Sequence, residues 1–186
     1  LSTFIIRQLQ EEGGFTTAFY ICNSYTTGKN LLGEMLRSIA AQILRANLDL
    51  ASYIFDNYAN KLQSPAIVRL RRLLPELLGT VNSIRVIIDG LDEYPEPDQR
   101  LILNELMTLS KSFVGQCKIL FSNRDEGLQI RKVLGGKPII DLKSQFTSVT
   151  KDIQAYVRFN LKEFRDSYPD RLIDNIESQL VQKAGG

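Results

Sequence analysis

The chain contains no histidine and no tryptophan, and only two cysteines. The missing imidazole removes Ser-His-Asp and Cys-His nucleophilic mechanisms and every histidine-ligated metal site. Two thiols cannot supply the four ligands of a structural zinc site unless acids join them. Cys22 and Cys117 both fall inside apolar, strand-like stretches, so they read as buried, reduced thiols. No apolar run approaches the roughly 18 residues of a membrane span. Leu1–Gln10 reads as a helical pattern and not as a secretory leader. The formal net charge of +2 argues for neither a nucleic-acid nor a membrane partner. Any catalysis must therefore use carboxylates, Lys, Arg or a bound metal ion, in a protein expected to be cytoplasmic.

The 186 residues suffice for one domain with a substantial core, and an apolar fraction of 44% suits a globular chain. Leu1, Phe4, Ile5 and Leu9 share one helical face, which predicts a helix over about residues 1–12, ended by Gly13-Gly14. Phe15–Asn23 is aromatic and β-branched and reads as a strand; Ser24–Asn30 reads as a polar loop. Leu31, Met35, Ile39 and Ile43, doubled by Leu32, Leu36, Ala40 and Leu44, mark a long buried helix. Residues 48–63 look helical in part. Pro65 opens a further helix, with Pro75 a potential kink. Strands are expected at Ile84–Asp89, Cys117–Ser122 and, after Gly135-Gly136, Pro138–Leu142. Helices are expected over about 98–113, 150–165 and 170–183. This alternation implies a parallel α/β sheet flanked by helices.

The densest chemical signal is Ile84-Arg85-Val86-Ile87-Ile88-Asp89-Gly90-Leu91-Asp92-Glu93. A buried strand ends in a carboxylate, a glycine and two more carboxylates. Open α/β sheets bind ligands at the carboxyl ends of their strands. Asp89 there can hold magnesium directly or through water, or can simply be a solvated strand-end acid. Gly90 permits close backbone approach or serves as a turn glycine. Asp92 and Glu93 can polarise a water molecule or merely solubilise a loop. A second apolar strand ends in Ser122-Asn123-Arg124, where an arginine can reach a phosphate in bidentate geometry or lie on the surface. One helix separates the two strands, as a right-handed crossover requires. If the strands are neighbours, Asp89 and Arg124 face one crevice. Arg69, Arg71 and Arg72 read as a solvated helix face, and Phe15, Phe19 and Tyr20 as core.

These motifs resemble those of the NACHT group of STAND-class P-loop ATPases, in the nephrocystin-like N-terminal form common in fungal multidomain proteins. Asp89-Gly90-Leu91-Asp92-Glu93 looks like a Walker B segment of the NACHT type, with a small residue after the magnesium-binding acid and a further acid two positions on. Ser122-Asn123-Arg124 resembles the sensor motif, and Asp152-Ile153 with Tyr156-Val157 resembles the stretch that follows the sheet. The chain departs from the group in lacking G-x-x-x-x-G-K-[ST]; Gly28-Lys29 follows the wrong strand, and Asn30 stands after the lysine. The resemblance implies that the helix at Leu1–Gln10 continues from a phosphate loop upstream of Leu1, and that both ends of the chain are truncations. The expected fold is thus a P-loop NTPase-like parallel sheet without its first strand and phosphate loop. Residues 1–165 would be the nucleotide-binding domain, and 166–186 the start of a following helical region.

What the resemblance implies is a switch that holds ADP at rest and ATP when active. Asp89 would organise magnesium and, with Gly90 and Arg124, bind the nucleotide; Asp92 and Glu93 would position or activate water. The intact parent would hydrolyse ATP slowly and form homo-oligomers, with other domains of the same chain as partners. This segment alone would be poorly stable and bind nucleotide weakly or not at all. The alternative is an α/β interaction scaffold that does not hydrolyse nucleotide. A free-standing magnesium phosphohydrolase is the weakest reading, because no further acids or nucleophile stand at suitable places.

Overall fold

Strand β2 (Ile84–Asp89) is hydrogen-bonded on both sides, and its sequence suits that position. A central parallel strand is covered on both faces, so it needs a continuous β-branched run rather than alternation. Ile84, Val86, Ile87 and Ile88 are each at most 3% exposed. β1 (Thr16–Ile21) pairs in parallel on one side, with Thr16 opposite Ile84; β3 (Cys117–Ser122) pairs on the other, with Cys117 opposite Ile84. The sheet order is β1-β2-β3. The computed structural model describes residues 2–23, 30–54, 66–124 and 128–184. The expected α/β class, with a parallel sheet flanked by helices, is what the structure has.

Helices are α1 (Ser2–Glu12), α2 (Leu31–Ala46), α3 (Asp49–Ile54), α4 (Ala66–Thr80), α5 (Glu96–Ser112), α6 (Leu128–Val133), α7 (Phe146–Arg165) and α8 (Asp170–Ala184). Strand side chains alternate between faces. Ala18 and Tyr20, Ile84, Val86 and Ile88, and Cys117, Ile119 and Phe121 meet one core with the apolar stripes of α2, α4 and α5. Residues of opposite parity, among them Arg85, Ile87 and Asp89, point to the other face. There α1 lies against β1 and β2 and brings a buried Ile6. The guanidinium of Arg85 stacks 4.8 Å from the Phe15 ring centre.

Local devices hold these elements. The Asn30 side chain caps α2 by accepting from Gly33 N–H at 2.9 Å. Gln116 Nε2 donates to the carbonyls of Leu78 and Val81, tying the end of α4 to the entry of β3. Pro75 lies inside α4 without ending it. Gln42 of α2 covers the outer edge of β1: Phe19 N–H donates to its Oε1 at 3.0 Å, and its Nε2 donates to Phe19 O at 2.7 Å. An edge strand left open is a template for unwanted pairing, and this amide closes it at one point.

The chain divides into two compact units, residues 1–135 and 136–186. The first contains the sheet. In the second, α7 and α8 pack as a hairpin, and position 165/166 falls in the turn between them. Arg158 pairs with Glu177 at 2.6 Å, and Arg165 reaches Asp170, Asp174 and Glu177 at 3.1–3.5 Å. The strand expected at Pro138–Leu142 is not formed. Residues 138–141 have no regular structure, and a 3-10 turn spans Leu142–Gln145. Ile139 and Ile140 are 69% and 81% exposed: the short apolar run has β composition but pairs with no described strand. The helices α6 and the start of α7 at Phe146 were not legible in the periodicity. Of the expected helix over 48–63, only Asp49–Ile54 is described; residues 55–65, with Pro65, lie outside the described residues.

The Gln42 contact generates a prediction. Gln42→Ala strands a half-buried N–H and C=O of Phe19, which costs about 1–3 kcal/mol. Urea unfolding should show a lower midpoint with an unchanged slope.

Candidate functional site at the carboxyl ends of the strands

Three strand ends are laced together where the acids begin. Asp89 O accepts from Cys22 N–H at 2.8 Å, just past β1, and Gly90 N–H donates to Ser122 O at 2.8 Å, the last residue of β3. Gly90 adopts φ 71° and ψ 29°, the left-handed region that L side chains avoid. This reversal turns the chain into a 3-10 turn, Leu91–Glu93, closed by Glu93 N–H to Gly90 O at 2.9 Å. Leu91 is fully buried and pins the turn to the core. Asp92 and Glu93 are thereby held at the rim.

Arg124 stands two residues beyond β3, at the same end of the sheet. Its Nε donates to Asp92 Oδ2 at 2.9 Å, and its Nη2 lies 4.0 Å from Glu93 Oε1. The side chains are unequally exposed: 11% for Asp92, 34% for Glu93 and 75% for Arg124. Asp89 is half-buried and makes no ion pair or side-chain hydrogen bond among the described residues. All five residues picked from the sequence, Asp89, Gly90, Asp92, Glu93 and Arg124, thus meet at the ends of two adjacent parallel strands. Gly28-Lys29 lies outside the described residues.

Sequence reasoning missed the layer beneath. The hydroxyls of Tyr20 and Tyr94 lie 3.2 Å apart, and Gln99 Nε2 donates to Tyr94 O at 2.7 Å, with the Cys22 thiol in the same layer. Burial pushes the Cys22 thiol up to about 12, and the charges of Asp89, Glu93 and Asp92 add to this against the lowering by Tyr94. Burial and Tyr94 also raise the Tyr20 phenol. Both groups stay neutral, as a protonated floor beneath a ring of carboxylates. The available signal was Tyr20 sharing the strand parity of Cys22, with Tyr94 directly after Glu93. Both cysteines are free and buried, as the sequence implied.

Among the described residues, no group of three or more Cys, Asp or Glu is arranged to hold a metal ion unaided. Magnesium does not need such a cage, since it is commonly held by one or two carboxylates together with substrate phosphates. The unpaired Asp89 carboxylate beside a glycine fits that mode. Among the described residues, no helix is long and apolar enough to cross a membrane.

The fold and site define a parallel α/β protein with a carboxylate–arginine cluster at the carboxyl ends of its strands. The sequence model of the family described as Nephrocystin 3, N-terminal, matches residues 1–124, and the chain belongs to that family. That span runs from α1 to Arg124 and takes in every residue of the cluster. No curated protein and no solved structure matches the chain.

Two predictions arise here. Gly90→Ala should cost about 1–2 kcal/mol, seen as a lower melting temperature, from the left-handed backbone alone. The added Cβ would sit 3.6 Å from Cys22 O and from Glu93 Oε1, an ordinary contact. Cys22 should resist iodoacetamide at pH 8 and react once urea unfolds the chain. Its folded pKa is raised, so its contribution to stability is complete below the usual thiol pKa of 9.0 and is lost as pH rises from there toward 12.

Proposed function

We propose that this chain is part of a NACHT-type, STAND-class P-loop ATPase, a switch driven by binding and slow hydrolysis of ATP. The observation that carries the reading is the meeting of Asp89, Asp92, Glu93 and Arg124 at the carboxyl ends of adjacent parallel strands. Membership of the nephrocystin 3 N-terminal family supports it.

Connectivity supports it independently. The path β1 to β2 to β3 crosses one face, where α2, α4 and α5 share the core, while α1 covers the other face. Parallel crossovers are right-handed. A parallel strand feeding α1 would therefore have to lie beyond β3, where Ile119 and Phe121 direct their backbone groups outward. The gap beside Arg124 would then be the point where strand order reverses, which is where open α/β sheets bind ligands. α1 leads through Gly13-Gly14 into the start of β1, so its amino end is directed toward the same end of the sheet. A helix amino terminus favours a phosphate. The phosphate loop implied by the family resemblance would fit at this place, upstream of Leu1.

Magnesium, when bound with nucleotide, would neutralise charge on the terminal phosphates. Asp89 would hold that ion on its carboxylate, which makes no ion pair among the described residues. Asp92 and Glu93 would orient a water molecule and accept its proton. Arg124 would offer its guanidinium to the terminal phosphate. The reaction class is phosphoryl transfer to water, dominated by positioning and charge. Nucleotide state would then set the assembly of like subunits and the engagement of other domains.

In the full-length protein, Asp89→Ala should weaken magnesium-dependent ATP binding by about tenfold or more, the worth of one charge-assisted contact. Isothermal titration with and without magnesium checks this. Unchanged binding and hydrolysis would remove the assignment, and an α/β scaffold that ignores nucleotide would take its place. In that case magnesium and ATP together would leave the melting temperature unmoved.

A further inference from the structure

Asp92 is less exposed than Glu93, and its charge is matched by Arg124. Asp89, Asp92 and Glu93 set three carboxylates beside the one guanidinium of Arg124 within this cluster. Phosphate is polyanionic, so a free nucleotide meets repulsion there. If Arg124 turned to that phosphate, Asp92 would also be left poorly hydrated and without its counter-charge, which is costly for a carboxylate at 11% exposure.

We infer that Arg124 is a two-position arginine, paired with Asp92 and Glu93 when the crevice is empty and released to phosphate only when a divalent cation enters with the nucleotide. The pair then selects the magnesium–nucleotide complex over free nucleotide. It also keeps Asp92 and Glu93 from acting on water until the phosphate has drawn Arg124 away. This rests on the ATPase reading above and adds a regulatory contact to the same site. The ion pair supplies the mechanism, because a cation arriving with the ligand replaces the charge that Arg124 withdraws. A ligand can shift such an equilibrium only by its differential affinity for the two arrangements.

The test is equilibrium titration of the full-length protein with ATP, in magnesium and in EDTA. Wild type, Asp92→Asn, Arg124→Ala and the double variant are compared. Wild type should prefer magnesium–ATP. Asp92→Asn should bind magnesium-free ATP about fivefold more tightly than wild type, in the range of a typical coupling between sites. Arg124→Ala should not gain, and the double variant should lose the gain of Asp92→Asn, because the arginine is what that substitution releases. If Asp92→Asn fails to fold, Glu93→Gln, whose carboxylate lies 4.0 Å from Arg124, should show the same direction with a smaller change. If wild type binds magnesium–ATP but Asp92→Asn leaves magnesium-free affinity unchanged, the exchange is overturned and the ATPase reading stands. If wild type binds no nucleotide in either condition, both fall.

Discussion

Everything at the candidate site depends on the left-handed backbone of Gly90. Its carbonyl neighbour Asp89 O is held by the chain leaving β1, and its own N–H is held by the last residue of β3. The two hydrogen bonds pull in opposite lateral directions, so β2 is centred and its end is fixed against both neighbours. From that anchor the chain reverses, drops Leu91 into the core and lifts Asp92 and Glu93 to the rim. An L side chain at this position would strain the reversal that sets the spacing of the three acids. The same lacing brings Arg124 to the acids, because β3 ends level with β2.

Electrostatics then divides the cluster into unlike parts. Asp92 and Glu93 are partly neutralised by Arg124, whereas Asp89 stands on the other side of the glycine without an ion pair among the described residues. Beneath them, burial keeps the Cys22 thiol and the Tyr20 phenol protonated, and at Cys22 the carboxylates above add to this. Three negative charges so close together are costly in a low-dielectric setting unless cations offset them. Arg124 offsets part of that charge. In the function proposed above, magnesium bound with nucleotide would offset more of it.

Much of the architecture was legible before any coordinates. β2 and the buried stripe of α2 are long, strongly patterned segments, and each formed where its pattern placed it. The acids and Arg124 were legible as a site because one helix separates their strands, which makes adjacency the simplest right-handed arrangement. Pro138–Leu142 was misleading because strand composition does not supply a strand partner, and its isoleucines stand exposed. Gln42 and the Tyr20–Tyr94–Cys22 layer were illegible. Their partners lie 23 and 74 residues apart in sequence, and no local period records such a contact.

By itself the sequence determined the class of fold, the identity of the central strand, the burial of its two thiols, and the absence of histidine chemistry. Those properties follow from composition and short-range periodicity, which act within one element at a time. Only the tertiary structure decided that β2 and β3 are neighbours in register, that Arg124 pairs with Asp92 in preference to Glu93, and that the buried tyrosines lie beneath the acids. Such properties depend on distances between residues far apart in the chain, and only packing of the helices on the two sheet faces sets those distances.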